Sequence, residues 1–160
     1  IREAQLRVLD VPKTGMAIAI DVGESKDIHP KNKKVVGQRL ALWALGSVYG
    51  EQVPATSGPL PAGNEVRKGE IVVRFAHTNG GLVAKDGPLT GFIIAGADRA
   101  WKPASARIEG TTVIVSAPNV PQPVAVRYAW APDPVCNLYN GAGLPASPFR
   151  TDTWETLTPP

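Results

Sequence analysis

Cysteine is almost absent: the one thiol, Cys136, excludes an intrachain disulfide and cannot build a metal site by itself. Long apolar runs are missing too. No stretch approaches the roughly 20 residues that a membrane-spanning helix needs, and the opening residues lack the layout of a secretory leader. Nor is there a strong charge of one sign. Seventeen basic and 14 acidic residues leave a formal net charge of +3, and the basic groups cluster only at Lys31, Lys33 and Lys34. No aromatic residues interleave with those lysines, so they read as a solvated helical turn rather than a nucleic-acid patch. Helix-like sequence is scarce as well: the 16 glycines and 16 prolines fall mostly after Gly50, and both helix-like segments come before it.

What is present divides near residue 50. Residues 2–9 favour helix, and Val11-Pro12 stops it. Residues 15–21, Gly-Met-Ala-Ile-Ala-Ile-Asp, form the short continuous apolar run expected of a parallel strand covered on both faces. Between Lys31 and Tyr49 the residues Val36, Leu40 and Trp43, flanked by Val35, Leu45 and Val48, recur at helical spacing, with Pro30 suited to the first helical position and Gly50 to the stop. Helix, strand, loop and helix make the last β-loop-α unit of an α/β domain. One strand and two helices cannot bury one another, so the remaining strands are expected from other polypeptide. A chain that opens inside a helical pattern, without an initiator Met, reads as a fragment or a processed piece.

The loop between that strand and helix carries Asp27-Ile28-His29-Pro30. In α/β folds, ligands gather at the carboxyl ends of the strands, so a histidine here sits where a catalytic base belongs. Three carboxylates, Asp21, Glu24 and Asp27, lie close by in sequence. An acid that orients an imidazole, and an imidazole that activates a hydroxyl, are two thirds of a serine-esterase triad. The serine is missing. Asp27 lies two residues before His29, and side chains at i and i+2 of an extended loop point the same way. The competing duty for Asp27 is to cap the helix that starts at Pro30. Asp21 and Glu24 are rival acids, and a backbone carbonyl holding the imidazole would leave a Ser-His dyad. His77 matches no catalytic motif and reads as structural or surface.

Residues 51–68 are rich in Pro, Gly and Ser and read as a linker or long crossover. Beyond them the period changes to two. Strands are predicted at 71–75, 91–96, 105–108, 111–116 and 124–130, with Glu109-Gly110 as a hairpin turn. Short strands with Gly/Pro punctuation and no helix predict an antiparallel β-sandwich of about 100 residues. The tail, residues 132–160, reads as an irregular wrap held by Leu138, Tyr139, Phe149 and Trp154. Arg127 and Arg150 suit either a ligand carboxylate or a structural ion pair, and the latter is the simpler role. Trp101, Trp130 and Trp154 read as packing rather than as a sugar platform.

Taken together, Arg2-Glu3-Ala4-Gln5, the Gly15-Met16-Ala17 strand, Asp27-Ile28-His29-Pro30 with Asn32-Lys33, residues 37–42, Asn137-Leu138-Tyr139-Asn140 and residues 143–152 resemble sialate O-acetylesterases. The resemblance spans nearly the whole chain. It implies an SGNH-type (GDSL-like) α/β/α hydrolase whose serine lies near the start of the domain, with β-rich modules attached. Residues 1–52 would then be the carboxyl-terminal segment of the hydrolase domain, and residues 53–160 a β-sandwich with an irregular wrap. His29 would be the triad base and Asp27 its acid. SGNH hydrolases usually carry Asp three residues before the His, where this chain has Lys26. The implied substrate is an acetylated sugar, sialic acid or xylan, and the implied partner is the segment or chain that brings the serine. The resemblance implies no cofactor or metal, and a secreted or periplasmic address. A non-catalytic carbohydrate-binding or structural β-module is the alternative.

Overall fold

A computed structural model describes residues 1–155. The opening helix forms as α1, Arg2–Leu6, and tightens into a 3-10 turn at Arg7–Asp10 before Val11 turns extended. The next helix, α2, spans Lys33–Ser47. Its cap is Asn32, whose side chain accepts from the Val35 N–H at 3.4 Å. Pro30 is therefore outside the helix, and Asp27 does not cap it. The side-chain oxygen that meets the orphan amides decides where the helix begins.

The run at 15–21 does not become a paired strand. Residues 14–19 are irregular and a turn follows, because among the described residues no strand lies beside them to complete a ladder. They pack instead on α2, so closely that a Cβ on Gly15 would fall 2.1 Å from the Trp43 ring.

Among the described residues after α2 no further helix follows, and every strand pairs antiparallel, with loops and turns between. One four-stranded sheet has the order β1 (Leu60–Arg67), β2 (Glu70–Ala76), β7 (Thr112–Ser116), β6 (Ser105–Glu109). A second has the order β10 (Phe149–Arg150), β8 (Ala125–Tyr128), β4 (Phe92–Ala95), β5 (Lys102–Pro103). A short pair, β3 (Leu82–Ala84) and β9 (Leu138–Asn140), flanks them. The predicted strands at 71–75, 91–96, 105–108, 111–116 and 124–130 all form within a residue or two. Gly110 takes a positive φ of 59° in the turn from β6 to β7.

Two expectations are corrected. The stretch 51–68 is not all linker, since it contains β1. As an edge strand, β1 tolerates Pro61, Gly63 and the register irregularity between Pro61 and Asn64. Nor is the tail wholly irregular: Leu138–Asn140 pairs with β3, and Phe149–Arg150 with β8. The final five residues of the predicted wrap lie outside the described residues.

Alternation along the strands turns Ile71, Val73 and Phe75, Val113 and Val115, Phe92 and Ile94, and Val126 and Tyr128 into one shared core. Phe149 adds its ring, stacked on Tyr128 with centroids 5.8 Å apart and edge-on to Phe75 at 5.6 Å. Such pairs add about 0.5–1.5 kcal/mol each beyond the area they bury. Among the described residues no helix is long and apolar enough to cross a membrane.

The approach of residue 58 to the 144–145 turn leaves no room for a side chain, since a Cβ on Gly58 would lie 2.0 Å from the Pro145 carbonyl oxygen. Gly58→Ala should therefore force backbone apart and cost about 1–3 kcal/mol. Urea unfolding of the variant beside the parent checks this, with an unchanged midpoint as the contrary result.

Candidate active site

The loop from Val22 to Asn32 is built by its own polar side chains. A turn brings the Asp27 N–H to the Glu24 carbonyl at 3.2 Å, and the Glu24 carboxylate accepts from the Lys31 N–H at 2.8 Å. The Asp27 carboxylate accepts from the His29 N–H at 2.8 Å. This is an Asx-type turn, the local bond that favours Asp in loops. It holds the backbone of His29 and leaves the ring free: the imidazole is 82 % exposed, and its Nδ1 lies 3.6 Å from the same Asp27 oxygen. That separation is beyond a hydrogen bond but within a small rotation of one. Ile28, next to it, is 90 % exposed.

The three candidate acids separate cleanly. Asp27 is near the imidazole. Glu24 closes the loop through Lys31. Asp21 is withdrawn into an ion pair, with Arg39 Nη1 2.6 Å from one oxygen and Arg39 Nη2 2.7 Å from the other. Burial opposes ionisation of Asp21, but the hydrogen bonds and charge of Arg39 outweigh it and hold the carboxyl below the usual carboxylate range. The Tyr139 hydroxyl also donates to Asp21, at 3.1 Å. Arg39 and Tyr139 were not singled out for the site from sequence. The available signal was one charge of each sign embedded in two neighbouring apolar segments, Asp21 and Arg39.

An open groove of about 750 Å³ lies against this region, lined by Ala17, Ile18, Asp27, Ile28 and Pro30 on one side and Pro132–Pro134 on another. His77 is exposed, with its carbonyl accepting from Asn140 at 3.0 Å. Among the described residues no group of three or more His, Cys, Asp or Glu is placed to hold a metal ion. Cys136 is half-buried against the Tyr128 hydroxyl, and burial pushes its thiol up, away from nucleophilic reactivity at neutral pH.

The two arginines proposed for a ligand carboxylate are already paired. Arg127 donates to Asp152 at 2.8 and 2.7 Å, and Arg150 donates to Glu3 of α1 at 2.7 and 3.0 Å. The tryptophans pack around them, Trp101 with its ring centre 4.3 Å and Trp130 5.3 Å from the Arg127 guanidinium. Trp154 lies 5.4 Å from Trp101. These contacts are the packing role expected of all three.

No protein-family model matches the chain. Among solved structures, a carbohydrate acetylesterase from Xanthomonas citri superposes with a TM-score of 0.91 and 45 % identity, over 95 % of this chain and 35 % of that one. The fold is therefore one found within carbohydrate acetylesterases. Sialate O-acetylesterases of Mus musculus and Homo sapiens are each 32 % identical over 87 % of this chain, and over 28 % and 29 % of their own lengths. The chain is similar to sialate O-acetylesterases, and it spans less than a third of the curated relatives it matches.

Proposed function

We propose that the chain is the carboxyl-terminal part of a carbohydrate O-acetylesterase and supplies the base of a Ser-His mechanism whose serine comes from polypeptide outside these 160 residues. The observation that carries the proposal is His29: an imidazole at the tip of a loop with a fixed backbone, beside a carboxylate, exposed next to the equally exposed Ile28. Residues 1–52 read as the closing segment of an SGNH-type α/β domain, and residues 53–160 as an attached β-sandwich. The unpaired apolar run 14–19 supports this division. So does the apolar surface of α2, where Leu40 and Leu45, with Val48 and Tyr49 just beyond, remain open to solvent. A helix apolar on more than its packed side is one that a larger core covers.

In the mechanism, the Asp27 carboxylate accepts from Nδ1–H of His29, which leaves Nε2 as the base. Nε2 takes the serine proton as the hydroxyl oxygen attacks the acetyl carbonyl. The imidazolium then returns that proton to the departing sugar oxygen as the C–O bond breaks. Water, deprotonated by the same nitrogen, releases acetate and regenerates the serine. The oxyanion would be held by donors from the segment that brings the serine.

The names of the curated relatives favour acetylated sialic acid as substrate, with acetylxylan as the alternative. A secreted or periplasmic location follows the same resemblance. A non-catalytic β-module is the rival reading, and one experiment separates the two. The 160-residue chain alone should release no acetate from an aryl acetate and take no label from a phosphonylating serine reagent. The longer protein that contains it should do both. If the longer protein releases no acetate from any acetyl ester offered, the β-module reading replaces the esterase.

A further inference from the structure

The carboxylate that sequence offered as a rival acid has a different task. Asp21 closes the apolar run that leads into the His29 loop, and Arg39 lies in the helix that leaves it. Their two-pronged contact ties the entrance of the loop to its exit. The Arg39 Nη1 also donates to the Ile18 carbonyl at 2.5 Å, fixing the run one turn earlier. The guanidinium Nε is buried without a hydrogen-bond partner, so the group is oriented by its Asp21 end.

The third member comes from the β region. Tyr139 sits in β9, only 7 % exposed, with its neighbour Asn140 bonded to the carbonyls of Ser57 and His77 and to the Leu144 N–H. Lys85 covers its ring at 5.1 Å. The phenol is thus held on a rigid strand, and its hydroxyl reaches across to Asp21 Oδ2. Burial, then the Asp21 charge, push the Tyr139 hydroxyl above its usual range, so the donor keeps its proton at neutral pH and above. Asp21 stays ionised over the same interval.

We infer that Tyr139, Asp21 and Arg39 are positioning residues: through them the β region sets where the His29 loop stands, and so where the imidazole meets its serine. The inference rests on the reading of His29 as the proton carrier. It gives the β region a part in catalysis without any contact with the sugar. A displacement of about 1 Å in such a group can cost up to about 100-fold in rate, so modest loosening is readable in kcat.

The test uses the longer, active protein that contains this chain. Tyr139→Phe keeps the ring and removes the hydroxyl; Arg39→Lys keeps the charge and removes the fork. Each should lower kcat for an aryl acetate about tenfold with KM within twofold. The amides of His29 and Lys31 should exchange at least tenfold faster, while those of Val73 and Val115 keep their protection. Unchanged exchange in the loop overturns the linkage whatever the activity does. Loss of protection at Val73 and Val115 as well overturns it in favour of a general structural role. A normal kcat in both variants, alongside a His29→Asn enzyme that is dead, sinks the positioning role and leaves the esterase reading standing. A fully active His29→Asn enzyme sinks both.

Discussion

Replacing His29 by asparagine in the longer protein proposed to contain this chain should lower kcat for an acetyl ester by about 100- to 10,000-fold and leave the unfolding midpoint where it was. The size is that of removing a general acid-base from a proton-transfer step. The stability half of the expectation comes from geometry. His29 contributes to the loop through its backbone N–H, which asparagine retains, while the ring stands in solvent. A substitution of that kind falls within about 0.5 kcal/mol of neutral. Activity lost without stability lost is the signature of a chemical role, and steady-state kinetics with a parallel melt reads both. Asp27→Asn is the companion. Its Oδ1 can still accept from the His29 N–H, so the turn survives, but the charge beside Nδ1 is gone. A clear loss of kcat there supports the triad. Full activity would leave a Ser-His dyad with the ring held by other means.

Asp152→Ala should be the most destabilising single change on the outer face of the second sheet, at about 3–5 kcal/mol, the cost of leaving one member of a buried ion pair alone. Asp152 is 1 % exposed in its side chain and Arg127 10 %, and the guanidinium is enclosed by Trp101 and Trp130. Removing the carboxylate leaves a largely buried cation without its partner. It also frees Arg150 Nη1, 3.7 Å from Asp152, and the Trp154 N–H, which Asp152 accepts at 3.2 Å. The pH dependence has a definite sign. Burial opposes ionisation of Asp152, yet Arg127 outweighs it, so the folded-state pKa lies below the unfolded value of about 3.9. The pair's contribution is therefore complete above that value and is lost as pH falls through the lower folded pKa. Asp21 follows the same sign. Urea unfolding of parent and variant at neutral pH and near pH 3 should show the difference between them narrowing in acid. A variant as stable as the parent at neutral pH would mean that Trp101 and Trp130 alone accommodate Arg127.

Local pattern was enough for the central strands. Residues 71–75 and 111–116 are mostly β-branched or aromatic, and they became β2 and β7, the inner strands of their sheet. Strands at the edges were harder to read. In β1, Pro61 and Gly63 look like linker, but an edge strand needs only one hydrogen-bonded flank and can carry both. Both β9 and β10 are short, and only their pairing with β3 and β8 makes them strands. The run at 15–21 failed in the opposite way. Its pattern is that of a buried strand, yet strand structure belongs to a ladder, and among the described residues no ladder partner is beside it.

The candidate site divides along the same line. Residue types and close spacing singled out His29 and its nearest carboxylate, because two residues apart in a loop is a distance that sequence specifies. The same spacing could not sort Asp21 and Glu24 from Asp27. For Asp21 that sorting came from Arg39 and Tyr139, which reach it from a helix and from a strand far along the chain, and for Glu24 from the Lys31 N–H. Sequence by itself determined the period of the strands, the two helices and the chemistry available at the loop, since these depend on neighbours within a few residues. Which carboxylate is consumed by a structural ion pair, and which stays beside the imidazole, was decided only by the packed chain, where burial and long-range partners set the energy of each charge.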